Sequence, residues 1–281
     1  MSMRFALTQW LERVAAVLRR LGLGRLVEAA RDRLLLLLGP FEVRVGAARL
    51  SGASVPHLAY LRELQAGRES YMASLFESSV RPGAEVVDLG AHLGYMTQLA
   101  AARGAHVWAF EPNPDTRSLL VRGLERAGLD GRVTVLPLAL SDREGTMPLF
   151  VSGGGDTSSL FDHDGGEAAV EVTSRRGDDV FGADVRLDVV KLDIEGGELG
   201  ALAGMEETLR RASERLAVFA ECNPEALHRA GHSPEALVAL LRSHRLEVFV
   251  CDERRRSLVP WDGAVGAEPY VNLLARRGED R

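Results

Sequence analysis

Between Glu85 and Gly94 the chain reads Glu-Val-Val-Asp-Leu-Gly-Ala-His-Leu-Gly, an apolar run that stops on a glycine-punctuated turn. No other stretch constrains the fold as much. The apolar, β-branched residues favour a buried strand, and Asp88, Gly90 and Gly94, spaced D-x-G-x-x-x-G, place glycine where a tight loop calls for φ > 0. The residues from Tyr95 to Arg103 then read as a helix. Strand, tight loop and helix start in succession predict a ligand-binding turn, with loop N–H groups brought close to the ligand and the helix N-terminus favouring a negative group.

The next strand, Ala105 to Phe110, ends in Glu111, which stands 23 positions beyond Asp88. An acid about 20 residues on, at the tip of the neighbouring strand, can accept hydrogen bonds from both ribose hydroxyls of an adenosine. A dinucleotide loop, G-x-G-x-x-G, would need glycine at positions 92 and 95, where this chain has His92 and Tyr95. Those side chains shield the backbone from a pyrophosphate. The spacing therefore predicts S-adenosylmethionine (SAM), which has no phosphate to cradle, with NAD as the alternative.

From Glu85 onward strands and helices alternate. Strands are predicted over 85–89, 105–110, 133–138, 188–192, 216–221, 246–250 and 269–275, with helices from Tyr95, near Asp115 and near Glu198, and an irregular segment after 138. Such alternation gives an α/β fold, a Rossmann-like, seven-stranded, mostly parallel sheet with helices on both faces. The last strand is expected antiparallel, because no full helix separates it from the one before. Asn223-Pro224-Glu225 and Ser233-Pro234-Glu235 repeat one pattern, a capping side chain, proline at the first helical position and an acid in the first turn, and are read as helix caps. The glycine-, aspartate- and serine-rich stretch 153–166 is read as a long loop of functional kind.

Residues 1–38 read as helical, with Leu7, Trp10, Leu11, Val14, Leu18 and Leu21 on one face. Residues 1–33 carry seven arginines against three acids, net +4, whereas the remainder carries 27 basic and 37 acidic side chains, net −10. A basic amphipathic stripe of this kind is expected to pack on its own domain or on a second subunit. A short hairpin over 41–50 and a helix over 67–80 follow, the latter in a position to act as a lid. We take residues 1–78 as an N-terminal helical extension, a lid or a dimer contact, and 79–281 as the catalytic domain.

A net charge of −6 argues against a nucleic-acid binder, which shows a basic face to phosphates. Cys222 and Cys251, each in or just after an apolar strand, read as buried thiols of a reduced compartment. The longest aliphatic run, Leu34 to Leu38, is too short to span a bilayer, and Arg4, Glu12 and Arg13 interrupt any signal-peptide core, so the expected address is the cytoplasm, without stable membrane insertion.

The fourth strand runs Asp188-Val-Val-Lys191-Leu-Asp193-Ile-Glu195-Gly-Gly-Glu198. Period-two alternation points Lys191, Asp193 and Glu195 one way, an expensive arrangement unless the charges pair or serve a site. Lys191 is the only lysine, against 33 arginines. A compact ammonium is evidently wanted where a forked guanidinium does not fit. Its roles are pairing with Asp88 or Asp193, or proton transfer.

These residues, together with Val87-Asp88-Leu89-Gly90-Ala91 and Gly94, Phe110-Glu111-Pro112, Ala139-Leu140-Ser141-Asp142 with Gly145, Ser158-Ser159-Leu160 and Glu221, resemble the FkbM-type SAM-dependent methyltransferases over roughly residues 69–275. The resemblance implies a class I methyltransferase fold and methyl transfer from SAM to a hydroxyl of a sugar or secondary metabolite. It implies that Gly90 and Gly94 admit the methionine part of SAM, that Asp88 holds its ammonium and Glu111 its ribose diol, and that Ser141 and Asp142 border the adenine. His92 stands where the family has asparagine, and Ser243-His244-Arg245 where a Gly-Tyr turn is common.

An alcohol has to lose its proton as the new bond forms, which needs a base or a metal. Asp193 and Glu221, at adjacent strand tips, are expected to serve as carboxylate bases or to hold a divalent cation such as Mg through oxygen, and the sequence leaves the two open. Tyr71 and Tyr95 are pocket or core aromatics, His228 and His232 surface histidines, and Glu195 a helix-start acid. The Asn/Asp-Pro-Pro-aromatic turn of base N-methylases is missing after the fourth strand, where Asp193-Ile194-Glu195-Gly196 stands instead, which argues against nucleobase acceptors. The alternatives carried forward are an NAD-linked oxidoreductase and a SAM-binding module without chemistry.

Overall fold

The structure, a computed structural model, describes residues 39–152, 157–161, 169–263 and 269–278. The helix expected over 1–38 lies outside the described residues, as does most of the 153–166 stretch. The described chain opens with the expected hairpin, β1 (Phe41–Val45) and β2 (Ala48–Gly52), turning at Gly46. A helix that the sequence analysis does not predict follows, α1 (Val55–Gln65). The Ser54 hydroxyl accepts the His57 amide at 3.2 Å and Pro56 sits in the first turn, the usual chemistry of a helix start.

Leu58, Leu61 and Leu64 of α1 bury with Phe41, Val43 and Leu50, and this small core continues onto Leu93 and Leu119 of the main domain. Gln98 completes the junction. Its amide oxygen accepts the Arg49 N–H and its amide nitrogen donates to the Arg49 carbonyl, both at 2.8 Å. The next helix, α2 (Ser70–Ser79), sends Met72 and Phe76 into a core shared with Val86, Met96 and Phe219.

The Pro82-Gly83 turn delivers the chain to β3 (Glu85–Leu89), which is buried on both faces as its Val-Val-Asp-Leu text requires. Then come α3 (Tyr95–Ala102), β4 (His106–Phe110), α4 (Pro114–Ala127) and β5 (Val133–Leu136). Asn113 caps α4 by accepting the Asp115 amide at 3.0 Å. Pro137, which has no N–H for a ladder, separates β5 from β6 (Leu138–Leu140). The single strand predicted over 133–138 is therefore two strands in different sheets. The segment read as irregular is a four-stranded sheet, with β7 (Gly145–Ser152), β8 (Thr157–Ser159) and β9 (Ala169–Arg175) in the order β6-β9-β7-β8.

After α5 (Gly177–Val180) the main sheet resumes with β10 (Val189–Leu192), α6 (Glu198–Ala203), α7 (Glu206–Arg210) and β11 (Ala217–Cys222). The paired caps hold as read. Asn223 accepts the Ala226 amide at the start of α8 (Pro224–Arg229), and Ser233 accepts the Ala236 amide at the start of α9 (Pro234–Ser243). Strands β12 (Leu246–Asp252), β13 (Ser257–Pro260) and β14 (Val271–Arg277) end the chain.

The main sheet runs β13-β12-β14-β11-β10-β3-β4-β5. Strands β5, β4, β3, β10 and β11 are mutually parallel, and β14 is antiparallel to both of its neighbours, β11 and β12. Seven strands match the expectation. The eighth, β13, folds back on β12 as an edge hairpin that the sequence analysis leaves out. One face is packed by Leu202, Met205, Val238 and Leu241, the other by Phe76, Met96, Leu99 and Ala100. The chain order reverses between β3 and β10, and a crevice opens at their carboxyl ends, where ligands of such sheets bind. No helix among the described residues is long and apolar enough to cross a membrane.

Candidate active site

The crevice is a cavity of about 260 Å³. Asp88, Gly90, Ala91 and His92 enter it from β3 and its loop, Tyr95 from α3, Glu111 from β4, Lys191, Asp193 and Glu195 from β10 and the turn after it, and Glu221 from β11. Tyr60, Glu63, Arg68 and Glu69 roof it from α1 and the corner before α2. A narrower, mostly apolar slot adjoins it, sharing Gly90, Glu111 and Asp193 and lined further by Phe110, Pro112, Leu138, Leu160 and Ile194.

The loop glycines act differently from the sequence expectation. At Gly90, φ is +76°, and a Cβ there would stand 2.0 Å from the Asp193 carbonyl oxygen. At Gly94, φ is +87°, and a Cβ would meet Leu120 at 2.4 Å. Both glycines are thus required by packing against the protein itself. Four of the loop amides, those of Gly90, Ala91, His92 and Gly94, are also occupied. Gly90 and Ala91 N–H both donate to the Phe110 carbonyl, at 3.1 and 3.0 Å, and Gly94 N–H donates to the Ala91 carbonyl at 2.8 Å. The expectation that bare amides face the ligand gives way to a loop locked onto the end of β4. Gly90 lines both cavities, and Gly94 lines neither.

Glu111 performs the locking. One carboxylate oxygen accepts the His92 N–H and the other the Asn113 N–H, both at 2.9 Å. Burial pushes this carboxyl up to about 7, against the opposing pull of those two amides. Each oxygen retains a lone pair for a further donor. Asp88, only 1% exposed, accepts the Thr97 hydroxyl at 2.5 Å on one oxygen, while its other oxygen is buried without a hydrogen-bond partner. Burial raises its pKa and Lys191 opposes the rise.

Lys191 lies level with Asp88 on the adjacent strand, and its Nζ contacts Asp193 at 2.9 Å. Burial alone would depress the ammonium, but Asp193 and Asp88 raise it well above the usual lysine range. Held in this way, the ammonium carries its positive charge beside both carboxylates. Burial would raise Asp193, and the contact with Lys191 outweighs that and holds it below the usual range. The pairing with Asp193 that the sequence suggests is present in the fold.

Asp193, Glu195 and Glu221 each place a carboxylate oxygen within 4.8 Å of the others. Burial, then Asp193, raises Glu195 to about 7 and Glu221 well above the carboxylate range. Glu198, by contrast, is spent on structure, accepting the Ile194 and Gly196 amides at 3.1 and 3.0 Å and so shaping the turn that presents Glu195. Three residues with side chains hold positive φ around the cavity, Glu69 (57°), His92 (50°) and Glu195 (52°). Strain of this kind gathers where the surrounding fold over-determines a site.

Ser141 and Asp142 line neither cavity. The departure of β6 into the second sheet turns Ser141 toward Asp142, which its hydroxyl meets at 3.1 Å, while Leu138, Ala139 and Leu140 face the slot instead. Tyr95 lines the cavity, and Tyr71, lying under the Arg256 guanidinium, does not. The roof residues Tyr60, Arg68 and Glu69 escaped sequence reading. The Ser54-Val55-Pro56 start signal was available to place α1, but nothing local says which strand ends it covers.

A family model described as the methyltransferase FkbM domain matches residues 88–246. Over 222 residues, 76% of this chain and 88% of the relative, the sequence is 27% identical to the hexuronic acid methyltransferase AglP of Haloferax volcanii. Among solved structures, the chain is similar to a SAM-dependent O-methyltransferase of Thermotoga maritima, with 14% identity, 86% of this chain and 80% of that one covered, and a TM-score of 0.42. It is also similar to a precorrin-6y C5,15-methyltransferase of Geobacter metallireducens, with 14% identity, 73% and 87% covered, and a TM-score of 0.43.

Proposed function

This chain belongs to the FkbM methyltransferase family, and on that footing we propose that it transfers the methyl group of SAM to a hydroxyl of a small, sugar-type acceptor. The residues present fit SAM. The unpartnered oxygen of Asp88 suits a buried ammonium, the free lone pairs of Glu111 suit a ribose diol, and the apolar slot beside Glu111 suits an aromatic base. When bound, SAM supplies a methyl group on a sulfonium that is already a good leaving group.

What remains for the protein is positioning, exclusion of water and removal of the acceptor proton. The observation that carries the hydroxyl reading is the convergence of Asp193, Glu195 and Glu221. An alcohol needs such a proton acceptor. Asp193, held below the usual range by Lys191, supplies negative charge, while Glu195 and Glu221, raised by burial and by that neighbour, take the proton. The sugar class is supported by the name of the Haloferax relative. A second reading rests on the same 4.8 Å spacing. An all-oxygen set of three carboxylates suits a hard divalent cation, which would lower the acceptor hydroxyl's pKa, and loss of activity on chelation with return on adding Mg²⁺ would favour it.

The test is transfer of labelled methyl from SAM to a panel of free sugars and glycosides, with calorimetry of SAM, S-adenosylhomocysteine (SAH) and NAD alongside. An O-methylated sugar is the expected product. Binding of NAD in place of SAM, or label appearing only on an amine, overturns the reading. With acceptor saturating, kcat should rise as pH climbs past the ordinary carboxylate range and then level, because a base of raised pKa works only once ionised. A flat profile from pH 5.5 to 9 removes the carboxylate pair as base.

Truncating Glu111 should act on cofactor binding. Glu111→Ala strips two buried amides of their acceptor and removes the partner of the ribose, so the SAM dissociation constant should rise about 100-fold. Glu111→Gln should fare little better, because one of the two N–H groups would then face an NH₂. Calorimetry with SAH checks both, and an unchanged affinity would detach Glu111 from the cofactor.

A further inference from the structure

The corner before α2 carries an unusual division of labour. Glu69 occupies the N-cap position of this helix, yet its φ of 57° is left-handed and its side chain makes no capping bond. An acid at a helix start would ordinarily cap it or meet its dipole. Here the cap comes from across the sheet. Glu253, in the turn between β12 and β13, accepts the Met72 amide at 2.7 Å and the Tyr71 amide at 2.9 Å. Arg256 of the same turn donates to the Ser70 hydroxyl at 3.2 Å and lies over the Tyr71 ring at 5.4 Å. Arg68, one residue before the corner, is tied to Glu63 and, at 3.1 Å, to the hydroxyl of Tyr270.

Released from capping, the Glu69 carboxyl lines the cavity opposite the tips of β10 and β11. Its side chain is only 12% exposed, and among the described residues its one ion-pair contact is Arg68 at a loose 3.7 Å. It shares this space with Asp193, Glu195 and Glu221.

We propose that Glu69 contacts the acceptor, and that Glu253 is the positioning residue that leaves Glu69 free to do so. The edge hairpin β12–β13 thus belongs to the acceptor site without touching it. Its turn substitutes for the missing cap, and the strained corner then aims a carboxylate inward, where it accepts hydrogen bonds from acceptor hydroxyls. This rests on the hydroxyl-transfer reading above.

The test uses the full chain and the best acceptor found in the sugar panel, comparing Glu69→Gln, Glu253→Ala, Glu253→Gln and the double variant Glu69→Gln/Glu253→Ala. Glu69→Gln should raise the acceptor KM about tenfold, the scale of a hydrogen bond to a charged group, with the SAH dissociation constant within about twofold of wild type. Glu253→Ala should raise the acceptor KM in the same way. Glu253→Gln, which keeps one capping oxygen, should recover part of it. The double variant should be no worse than the more severe single one, because both changes remove the same contact.

Additive effects, or Glu253→Ala lowering Tm with the acceptor KM untouched, would reduce Glu253 to a structural cap and overturn the inference. So would an unchanged KM in Glu69→Gln. Wild-type protein that binds SAH but methylates nothing in the panel overturns the functional reading and this inference with it. An active wild type with an indifferent Glu69→Gln overturns this inference alone.

Discussion

Glu221→Gln should slow methyl transfer about 100- to 10,000-fold, the usual worth of a positioned general base, while SAH binds as before. Glutamine keeps the shape and hydrogen-bonding capacity of the side chain but cannot take a proton. The variant should also be the more stable protein above neutral pH. Burial first, and then Asp193 and Glu195, raise the Glu221 carboxyl well above its ordinary value, so the folded state binds this proton more tightly than the unfolded one. Stability from this group is then greatest at low pH and declines as pH climbs from the unfolded carboxylate range toward the folded value. Removing the charge removes that decline. A lower kcat together with a higher Tm at pH 8, and little difference in Tm near pH 5, is the combined signature, measurable by stopped-time assays and thermal melts. If Glu221→Gln keeps its kcat while Glu195→Gln loses it, the proton goes to Glu195.

Lys191→Met should cost stability at neutral pH toward the low end of the ~3–5 kcal/mol of breaking a buried pair, since it leaves buried Asp88 without its counter-charge while Asp193, 35% exposed, is partly screened by solvent. Methionine has nearly the right length and apolar stem, so the loss measures charge more than packing. The pH dependence identifies the cause. Asp193, held below its ordinary value in the native protein, contributes stability that is present above the unfolded aspartate pKa and lost as pH falls through the folded one. Lys191, held above its ordinary value, contributes stability that is present below the unfolded lysine pKa and is lost only as pH climbs through the folded one. Between those limits the pair is fully formed, and the Lys191→Met penalty should be largest there and shrink toward pH 4, where the orphaned carboxylates take up protons. Chemical denaturation at pH 4, 6 and 8 measures it. Lys191→Arg keeps the charge but must fit a planar fork between β3 and β10, and is expected to fall between methionine and wild type. A penalty that stays the same at all three pH values would assign the loss to packing.

The parts of the site that the sequence disclosed are those whose chemistry is local. β3 runs from Glu85 to Leu89 as read, because its apolar text and the glycine turn after it need no distant partner to be interpreted. Glu111 could be placed because a strand, a helix and a second strand of ordinary length set its distance from Asp88. The caps Asn223 and Ser233 were legible because each bonds an amide three residues away. Lys191 and Asp193 stood out by composition and alternation together, and their contact at 2.9 Å follows from sharing one face of one strand.

Other features were settled by residues far apart in the chain. Gly90 is needed because the carbonyl of Asp193, more than 100 positions away, passes where its Cβ would be. Ser141 lines neither cavity because β6 finds β9, over 30 positions later, as its partner. Glu69 faces the cavity because Glu253 does its capping. Each depends on close approach between segments that no local period or turn signal relates.

From its own text, then, the chain determined an α/β sheet with a glycine loop after the first core strand, an acid at the tip of the next and a lysine sharing the fourth strand's face with Asp193, since short-range pattern and residue chemistry suffice for those. Only the folded molecule decided that Asp193, Glu195 and Glu221 converge, that an eighth strand braces the roof and that the amides of Gly90, Ala91, His92 and Gly94 are already engaged. Packing and burial bring those groups together, and with that proximity come the raised carboxyl pKa values on which the chemistry depends.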